Sequence, residues 1–524
     1  MKRISPRVLL ALAVLPYVAF TLSQLDYVAM WDGREYAECI EQAVRAGSFP
    51  LDFNCANHPT FAYTGLVSLL QRLVKGQYWP LLLGNLAIGL AGLFAFYDLA
   101  KALFDENEAD ALILTACLGV FPVYLAATVN VNPDAGLVAF FVLAVRSLVR
   151  DRPLQAALTG FLLSFTKETG VVLYSLAVGT WALVMVLRAD GPVRYKLQRL
   201  VRHWAFLVPP LLFVLFLVFN PRRRTGDVAL WGTSPKDLFA TFTTFKLTDR
   251  VFLAQLAGIF LLQFLWVPTV FAFARWLKLL ARAIFALPWR EPRQLVFLDA
   301  LMLLTTLLLT RYRTFLNLRY YLAIAPLLLL SAMAGLRSIL PAVRDRVAAM
   351  AVLLALFAVS TFRTVDPVAK GLFGTFAFGS HPMLNMTSIT GECCGYGRDQ
   401  IVYNLEHTYL HRLQDLAYAQ IQPGPGQEIA LPEAAHWWLV GSLDPVTHLR
   451  TLSPVGTVKP HAWVVPELSH ARKRPDQLYF LRMPNVPLDE DEEVLQTWYD
   501  PVGAHTYQVS GYTLEVVLYQ LKKQ

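Results

Sequence analysis

Charge is what this chain most lacks. Of its 524 residues only 16% are Asp, Glu, Lys or Arg, against about a quarter in an ordinary soluble domain. So little charge cannot coat a soluble globule of this length, whereas 56% hydrophobic residues and a mean hydropathy of +0.44 suit lipid as the main solvent. Cysteine is scarce too: Cys39, Cys55, Cys117, Cys393 and Cys394 show no zinc or thioredoxin-type spacing, so a metal–thiolate centre is not expected. Internal repeats and paired Gly/Pro-broken helices are also missing, which weighs against a transporter. The glycines of Gly391-Glu392-Cys393-Cys394-Gly395-Tyr396-Gly397 are not followed by Lys-Ser/Thr, so this stretch is not a phosphate loop.

The net charge of +8 would suit nucleic acid, but the Lys and Arg fall in short clusters between apolar blocks of spanning length and read as topology signals. Apolar blocks lie near 7 to 25, 79 to 100, 109 to 128, 134 to 149, 154 to 166, 169 to 188, 203 to 220, 251 to 274, 294 to 310, 318 to 338 and 347 to 363. The first follows Lys2, Arg3 and Arg7 but lacks a cleavage site, so a retained helix is expected. The fold class is thus a polytopic α-helical membrane protein with about eleven transmembrane helices.

With the N-terminus inside, the clusters Arg146/Arg150/Arg152, Arg188 to Arg202, Arg275 to Arg293 and Arg337/Arg344/Arg346 all fall in inside loops, as the positive-inside rule requires. One inside loop, around Asp105, Glu106, Glu108 and Asp110, is acidic. Outside lie the long loop 26 to 78, the turns at Asn130 to Asp134 and at Lys167 and Glu168, the loop 221 to 250, the stretch 311 to 319, and everything after 364. Arg222, Arg223 and Arg224, and Arg311, Arg313 and Arg319, break the rule on the outside. An anionic ligand at the outer face would explain them, because Arg matches phosphate with bidentate hydrogen bonds; headgroup contact is the plainer reading.

From 365 onward apolar runs shorten to strand length at Glu428 to Leu431, Trp437 to Val440, Leu478 to Arg482 and Leu514 to Leu521, separated by Pro, Gly and Asp. This predicts two domains: a membrane domain over 1–364 and a soluble, extracytoplasmic α/β domain over 365–524. Asn385-Met386-Thr387 is a glycosylation sequon of a kind common by chance. Trp437, Trp438, Trp463 and Trp498 there could stack on sugars, though strand and core packing is the commoner use.

The first outer loop is the most informative stretch: Trp31-Asp32-Gly33-Arg34-Glu35-Tyr36-Ala37-Glu38-Cys39-Ile40, then Phe49-Pro50, then Asn57-His58-Pro59-Thr60. Ala37, Ile40, Ala43 and Val44 recur at helical spacing, which predicts an amphipathic surface helix over 33 to 46 capped by Asp32. Capping alone would account for Asp32. Cys39 and Cys55 share this loop, and either a disulfide or two unrelated thiols fits.

An acidic residue just after the first span, a Tyr-Ala helix and then a His-Pro element resemble the first outer loop of the C-type (GT-C) glycosyltransferases, in particular protein O-mannosyltransferases and lipid A aminoarabinose transferases. Three further pieces, within residues 1 to 340, follow in that family's order. Asn130-Val131-Asn132-Pro133-Asp134 is similar to its second acidic element, Ser164-Phe165-Thr166-Lys167-Glu168-Thr169-Gly170 to its Thr-Lys turn, and Leu318-Arg319-Tyr320-Tyr321-Leu322 with Pro326 to its late Arg-Tyr helix. The chain departs in carrying Gly33 where many members have a second acidic residue, a loss for which Glu35 could compensate.

The resemblance implies catalysis by Asp32, with Asp134 as a second polar contact or reserve base. Lys167 and Arg319, with Tyr320, Arg222 and Arg311, would hold a lipid phosphate, and His58 would orient acceptor or phosphate. A mutual ion pair between Lys167 and Glu168 is the alternative for those two. No metal ligand is assigned and no cofactor is implied, although the carboxylates could hold a divalent cation. Independently of the family, ionisable groups at span ends normally face a polar cavity or a partner. Carboxylates beside Arg and Lys suit glycosyl transfer from a phosphate-linked donor. The expectation is therefore a multi-pass bacterial inner-membrane glycosyltransferase that moves a sugar from a polyprenyl phosphate to a protein, lipid or glycan acceptor outside, with no nucleic acid partner. A flippase for an anionic lipid is the first alternative, and a membrane scaffold protein the second.

Overall fold

The structure is a computed structural model that describes residues 5–25, 32–48, 60–188, 203–219, 250–284, 291–312, 318–378, 381–384, 421, 424–432, 462–482, 488–509 and 512–523. Its helices follow the apolar blocks closely: α1 (Pro6–Ser23), α2 (Asp32–Arg45), α3 (Phe61–Gln71), α4 (Trp79–Leu103), α5 (Glu108–Gly119), α6 (Pro122–Val129), α7 (Pro133–Val149), α8 (Pro153–Ser164), α9 (Glu168–Arg188) and α10 (Val208–Phe219). Then come α11 (Arg250–Phe260), α12 (Trp266–Ile284), α13 (Arg293–Tyr312), α14 (Ile324–Ile339), α15 (Val343–Phe362) and the short α16 (Pro367–Phe373). Proline opens α6, α7 and α8, where its missing N–H has no helical partner to lose. Asn107 and Asn132 cap α5 and α7 by accepting from the amides of Asp110 and Asp134.

By length and composition, five described helices can cross a membrane, or six if α5 and α6, bent by 57°, form one span. The expected count of about eleven is therefore supported only in its coarser form, an integral membrane protein with several apolar helices. One expected span is corrected: 251 to 274 is broken between α11 and α12, and the helix after the break continues to Ile284. The break is a turn of 3-10 helix at Leu262–Phe264 in which Gln263 and Phe264 have φ of 51° and 64°, left-handed values that no hydropathy window reports.

Helices pack closely where side chains are small. A Cβ on Gly92 of α4 would sit 2.8 Å from the Ala139 Cα of α7, so these two backbones nearly touch. Ion pairs gather the loops at one end of the bundle. Arg150 pairs with Asp98 (2.7 Å) and Glu106 (3.1 Å), Arg337 with Asp105 (2.9 Å), and Lys101 with Glu108 (3.4 Å). Asp110, fully buried, accepts both Arg346 Nε (3.2 Å) and a terminal nitrogen of Arg346 (2.9 Å). The four carboxylates that made this loop look anomalous thus each have a cationic partner.

The C-terminal part carries a β1–β2 hairpin (Thr375–Phe378, His381–Leu384) and a mixed five-stranded sheet of order β4-β3-β5-β7-β6. Its strands are β3 (Gln427–Leu431), β4 (Ala462–Val464), β5 (Gln477–Arg482), β6 (Tyr499–Val509) and β7 (Tyr512–Leu521). Side chains alternate by period two. Ala430, Leu478, Phe480, Val517 and Tyr519 pack with Val465, Leu468 and Leu495, which lie on the helices α17 (Val465–His470) and α18 (Asp489–Trp498). Ile429, Leu431, Leu481, Leu514 and Val516 join the apolar cluster that runs through the helices. Three of the four expected strands are present; Trp437 to Val440 lies outside the described residues, and β4 and β6 were not foreseen. Trp463 and Trp498 are partly buried against the sheet, Trp498 under the Arg474 guanidinium at 3.7 Å. Trp437, Trp438, the sequon and the Cys393-Cys394 pair lie outside the described residues.

The buried Asp110–Arg346 pair offers a direct test of the fold. Asp110→Ala leaves a guanidinium uncompensated inside the bundle and should cost about 3–5 kcal/mol, while Asp110→Ala with Arg346→Met should recover most of that loss. Thermal unfolding of the purified protein in detergent reads both. A single variant that melts like wild type would show that the pair does not hold this end together.

Candidate functional site

At the end of the bundle away from those ion pairs, the turn before α7, the turn before α9 and a turn of 3-10 helix at Leu318–Tyr321 meet. Asp134, in the first turn of α7, is 1% exposed. Lys167 Nζ donates to Asp134 Oδ1 at 2.9 Å, and Arg319 Nε lies 3.3 Å from Asp134 Oδ2. Tyr320 completes the cluster, with its ring 4.8 Å from Lys167 Nζ and 5.1 Å from the Arg319 guanidinium carbon, and its hydroxyl accepts from Arg319 at 3.2 Å. Lys167 therefore has Asp134 as its carboxylate partner; Glu168, also buried, opens α9.

The turn that presents Asp134 is held by side chains for which the sequence carries no motif. Asn85, buried inside α4, donates from its amide nitrogen to the carbonyls of Thr128 (3.1 Å) and Asn130 (2.7 Å), and its amide oxygen accepts from the Tyr63 hydroxyl (2.7 Å). These bonds satisfy carbonyls left over where α6 ends. An Asn inside an apolar helix is the one sequence signal that could have pointed here.

The start of α2 packs on the same turn. A Cβ on Gly33 would lie 2.0 Å from Asn130 Oδ1, so the α2 backbone passes directly over that side chain. This gives a physical reason for glycine at 33, where the resembling family often carries an acidic residue. Asp32 is the first residue of α2, one position from this contact; its side chain and that of Glu35 lie outside the described residues. The apolar stripe of α2, Ala37, Ile40 and Val44, is buried in protein. Its polar residue Glu41 is 3% exposed and accepts from Arg45 (2.6 Å), from the Gly76 amide (2.9 Å) and from Gln71 of α3. Cys39 of α2 is disulfide-bonded. Cys117 is a buried free thiol.

Arg311, near the end of α13, lies 5.5 Å over the Phe252 ring. His58, Arg222 and Arg313 fall outside the described residues. Among the described residues no group of three or more His, Cys, Asp or Glu could hold a metal ion. Asp134 itself fits one poorly, because its oxygens already face two cations whereas a divalent ion needs several unengaged oxygen ligands.

The architecture is the GT-C glycosyltransferase fold. Residues 57–174, which include Asn85, Asp134 and Lys167, match the family described as dolichyl-phosphate-mannose-protein mannosyltransferase. The crystal structure of ArnT from Cupriavidus metallidurans in the apo state is similar to this chain at a TM-score of 0.55 and 14% identity, covering 97% of each chain. The structure of that protein bound to undecaprenyl phosphate is similar at a TM-score of 0.51, with the same identity and coverage. No curated protein sequence matches. The chain is an integral membrane protein with this fold, one segment of which matches a mannosyltransferase family.

The contact at Gly33 is testable through activity. Gly33→Ala should lower glycosyl transfer on the order of 10-fold, because overpacking of this kind costs about 1–3 kcal/mol and lifts the start of α2. Adding Asn130→Ala, which clears the space, should restore much of the rate. Equal activity for Gly33→Ala and wild type would show that the close approach is irrelevant to turnover.

Proposed function

We propose that this protein transfers a sugar from a polyprenyl-phosphate carrier to an acceptor hydroxyl on a protein, lipid or glycan at the outer face of a bacterial inner membrane. The observation that carries the reading is the buried Lys167–Asp134–Arg319 cluster beside the start of α2. Two cations and a carboxylate gathered at the end of lipid-embedded helices suit an anionic ligand, because Lys and Arg are the side chains that match phosphate. That ArnT, similar in fold, has a structure bound to undecaprenyl phosphate supports a lipid phosphate as that ligand.

In this reading Asp32 is the general base. It accepts the acceptor's hydroxyl proton as that oxygen attacks the anomeric carbon, the bond from that carbon to the phosphate oxygen breaks, and polyprenyl phosphate leaves. Lys167 and Arg319 neutralise the charge that develops on the leaving phosphate. Asp134 serves as a positioning residue, since its carboxylate holds both cations and is enclosed. Tyr320 keeps the two cations in register from the ring side. His58 would orient acceptor or phosphate, Arg222 and Arg311 would help neutralise the lipid phosphate, and Glu35 would compensate for the glycine at 33.

The topology that goes with this function has about eleven spans, the N-terminus inside, a catalytic membrane domain over 1–364 and an extracytoplasmic domain over 365–524. Two sets of loops at opposite ends of the bundle support it: the Arg-rich ion-paired loops at one end and the Asp134 cluster at the other.

Purified protein incubated with radiolabelled polyprenyl-phosphate sugars and membrane extract tests the reading. Asp32→Asn should lower turnover on the order of 100-fold or more, and Arg319→Lys should raise the KM for the donor through loss of the planar fork. Transfer unchanged in Asp32→Asn would remove that residue from the chemistry. Movement of the labelled lipid across vesicles without sugar transfer would favour a flippase.

A further inference from the structure

The break between α11 and α12 is built in a way that a passive kink is not. Two consecutive residues with side chains, Gln263 and Phe264, hold left-handed backbone angles, which for a bulky residue such as Phe is a strained state that lasts only where the surroundings enforce it. The enforcing group comes from a hundred residues later. Asp366, 3% exposed, accepts from the Phe264 amide at 2.8 Å and from the Trp266 indole nitrogen at 3.2 Å. The same carboxylate caps α16 by accepting from the amides of Val368 (3.0 Å) and Ala369 (3.3 Å). One anion thus satisfies four N–H donors and joins a broken membrane helix to the first helix after the last span.

The other side of the break faces the site. Leu262, Gln263 and Leu265 line a cavity of about 20 Å³ with Leu318, Tyr321 and Leu322, the residues that flank Arg319 and Tyr320. The Gln263 amide oxygen is buried, with no hydrogen-bond partner among the described residues. The turn at Leu318–Tyr321 thus faces the strained segment across this small cavity. If Gln263 and Phe264 relaxed to right-handed helix, α11 and α12 would run straight, as their hydropathy alone suggests, and that wall of the cavity would shift.

We propose that Asp366 is a positioning residue for Arg319: by holding Gln263 and Phe264 in their left-handed conformation, it sets the turn that aims the Arg319 guanidinium at Asp134 and the donor phosphate. The functional part of this inference rests on the reading that Arg319 binds the phosphate. The structural part does not.

The test uses the full-length protein in lipid nanodiscs. Asp366→Asn replaces one acceptor oxygen by a donor that opposes the N–H groups now pointing at it. Amides of residues 318–322 should then exchange with deuterium at least several-fold faster, while those around the distant Asp110–Arg346 pair are unchanged. The KM for a polyprenyl-phosphate sugar should rise on the order of 10-fold with kcat altered less, and the same change should have little further effect in an Arg319→Lys background. Gln263→Gly, which adopts positive φ without help, should restore both readouts when combined with Asp366→Asn. Unchanged exchange at 318–322 overturns the proposal, as does an exchange effect that Gln263→Gly leaves in place. Faster exchange with a KM insensitive both to Asp366→Asn and to Arg319→Lys would leave the joint standing and count against the phosphate role of Arg319.

Discussion

The structure depends on one buried carboxylate. Asp134 stands between Lys167 and Arg319, and these three residues belong to segments far apart in the chain. Taking charges out of water costs several kcal/mol per ion, an expense that only close opposite charges and hydrogen bonds offset. The geometry meets that condition at 2.9 and 3.3 Å. Without Asp134, Lys167 and Arg319 would lose the carboxylate they share, and it is this residue that keeps the start of α7, the start of α9 and the turn at Leu318–Tyr321 together.

Two other polar clusters hold helices together elsewhere in the bundle. Asp110 and Asp105 with Arg346 and Arg337 balance two charges against two, as do Arg275 and Arg282 with Glu291 and Asp299. Asp299 also accepts from Ser331 (2.6 Å) and Trp276 (3.3 Å) and so joins α12, α13 and α14. Such charge-balanced clusters specify which helices meet and where. The Asp134 cluster differs in what it gathers, two cations and the Tyr320 ring around one carboxylate.

Around that cluster sit neutral supports. Tyr63, Asn85 and Asn132 place the Asn130 to Asp134 turn through backbone and side-chain hydrogen bonds, and Gly33 lets the start of α2 lie against Asn130. Glu41, with Gln71 and the Gly76 amide, ties α2 to the stretch around α3. A base carried at the start of α2 would thereby be held by packing rather than by the flexibility of a loop, in keeping with the tolerance of about an ångström that catalytic geometry allows.

Much of the scaffold was legible in the amino-acid sequence. The apolar blocks predict the ends of α4, α7, α8 and α9 within a few residues, though the block 109 to 128 gives no sign of the bend between α5 and α6, and apolar runs of strand length predict β3, β5 and β7. These are local properties, because hydropathy summed over a window and the needs of a helix terminus are set by neighbours in the chain. The break at Gln263 and Phe264, the roles of Asn85 and Glu41, and the partner of Lys167 were decided only by the tertiary structure. Each depends on a hydrogen bond, ion pair or close contact with a residue far along the chain. The residue types announced that polar groups needed partners, but only the packing of the helices determined which partners they found.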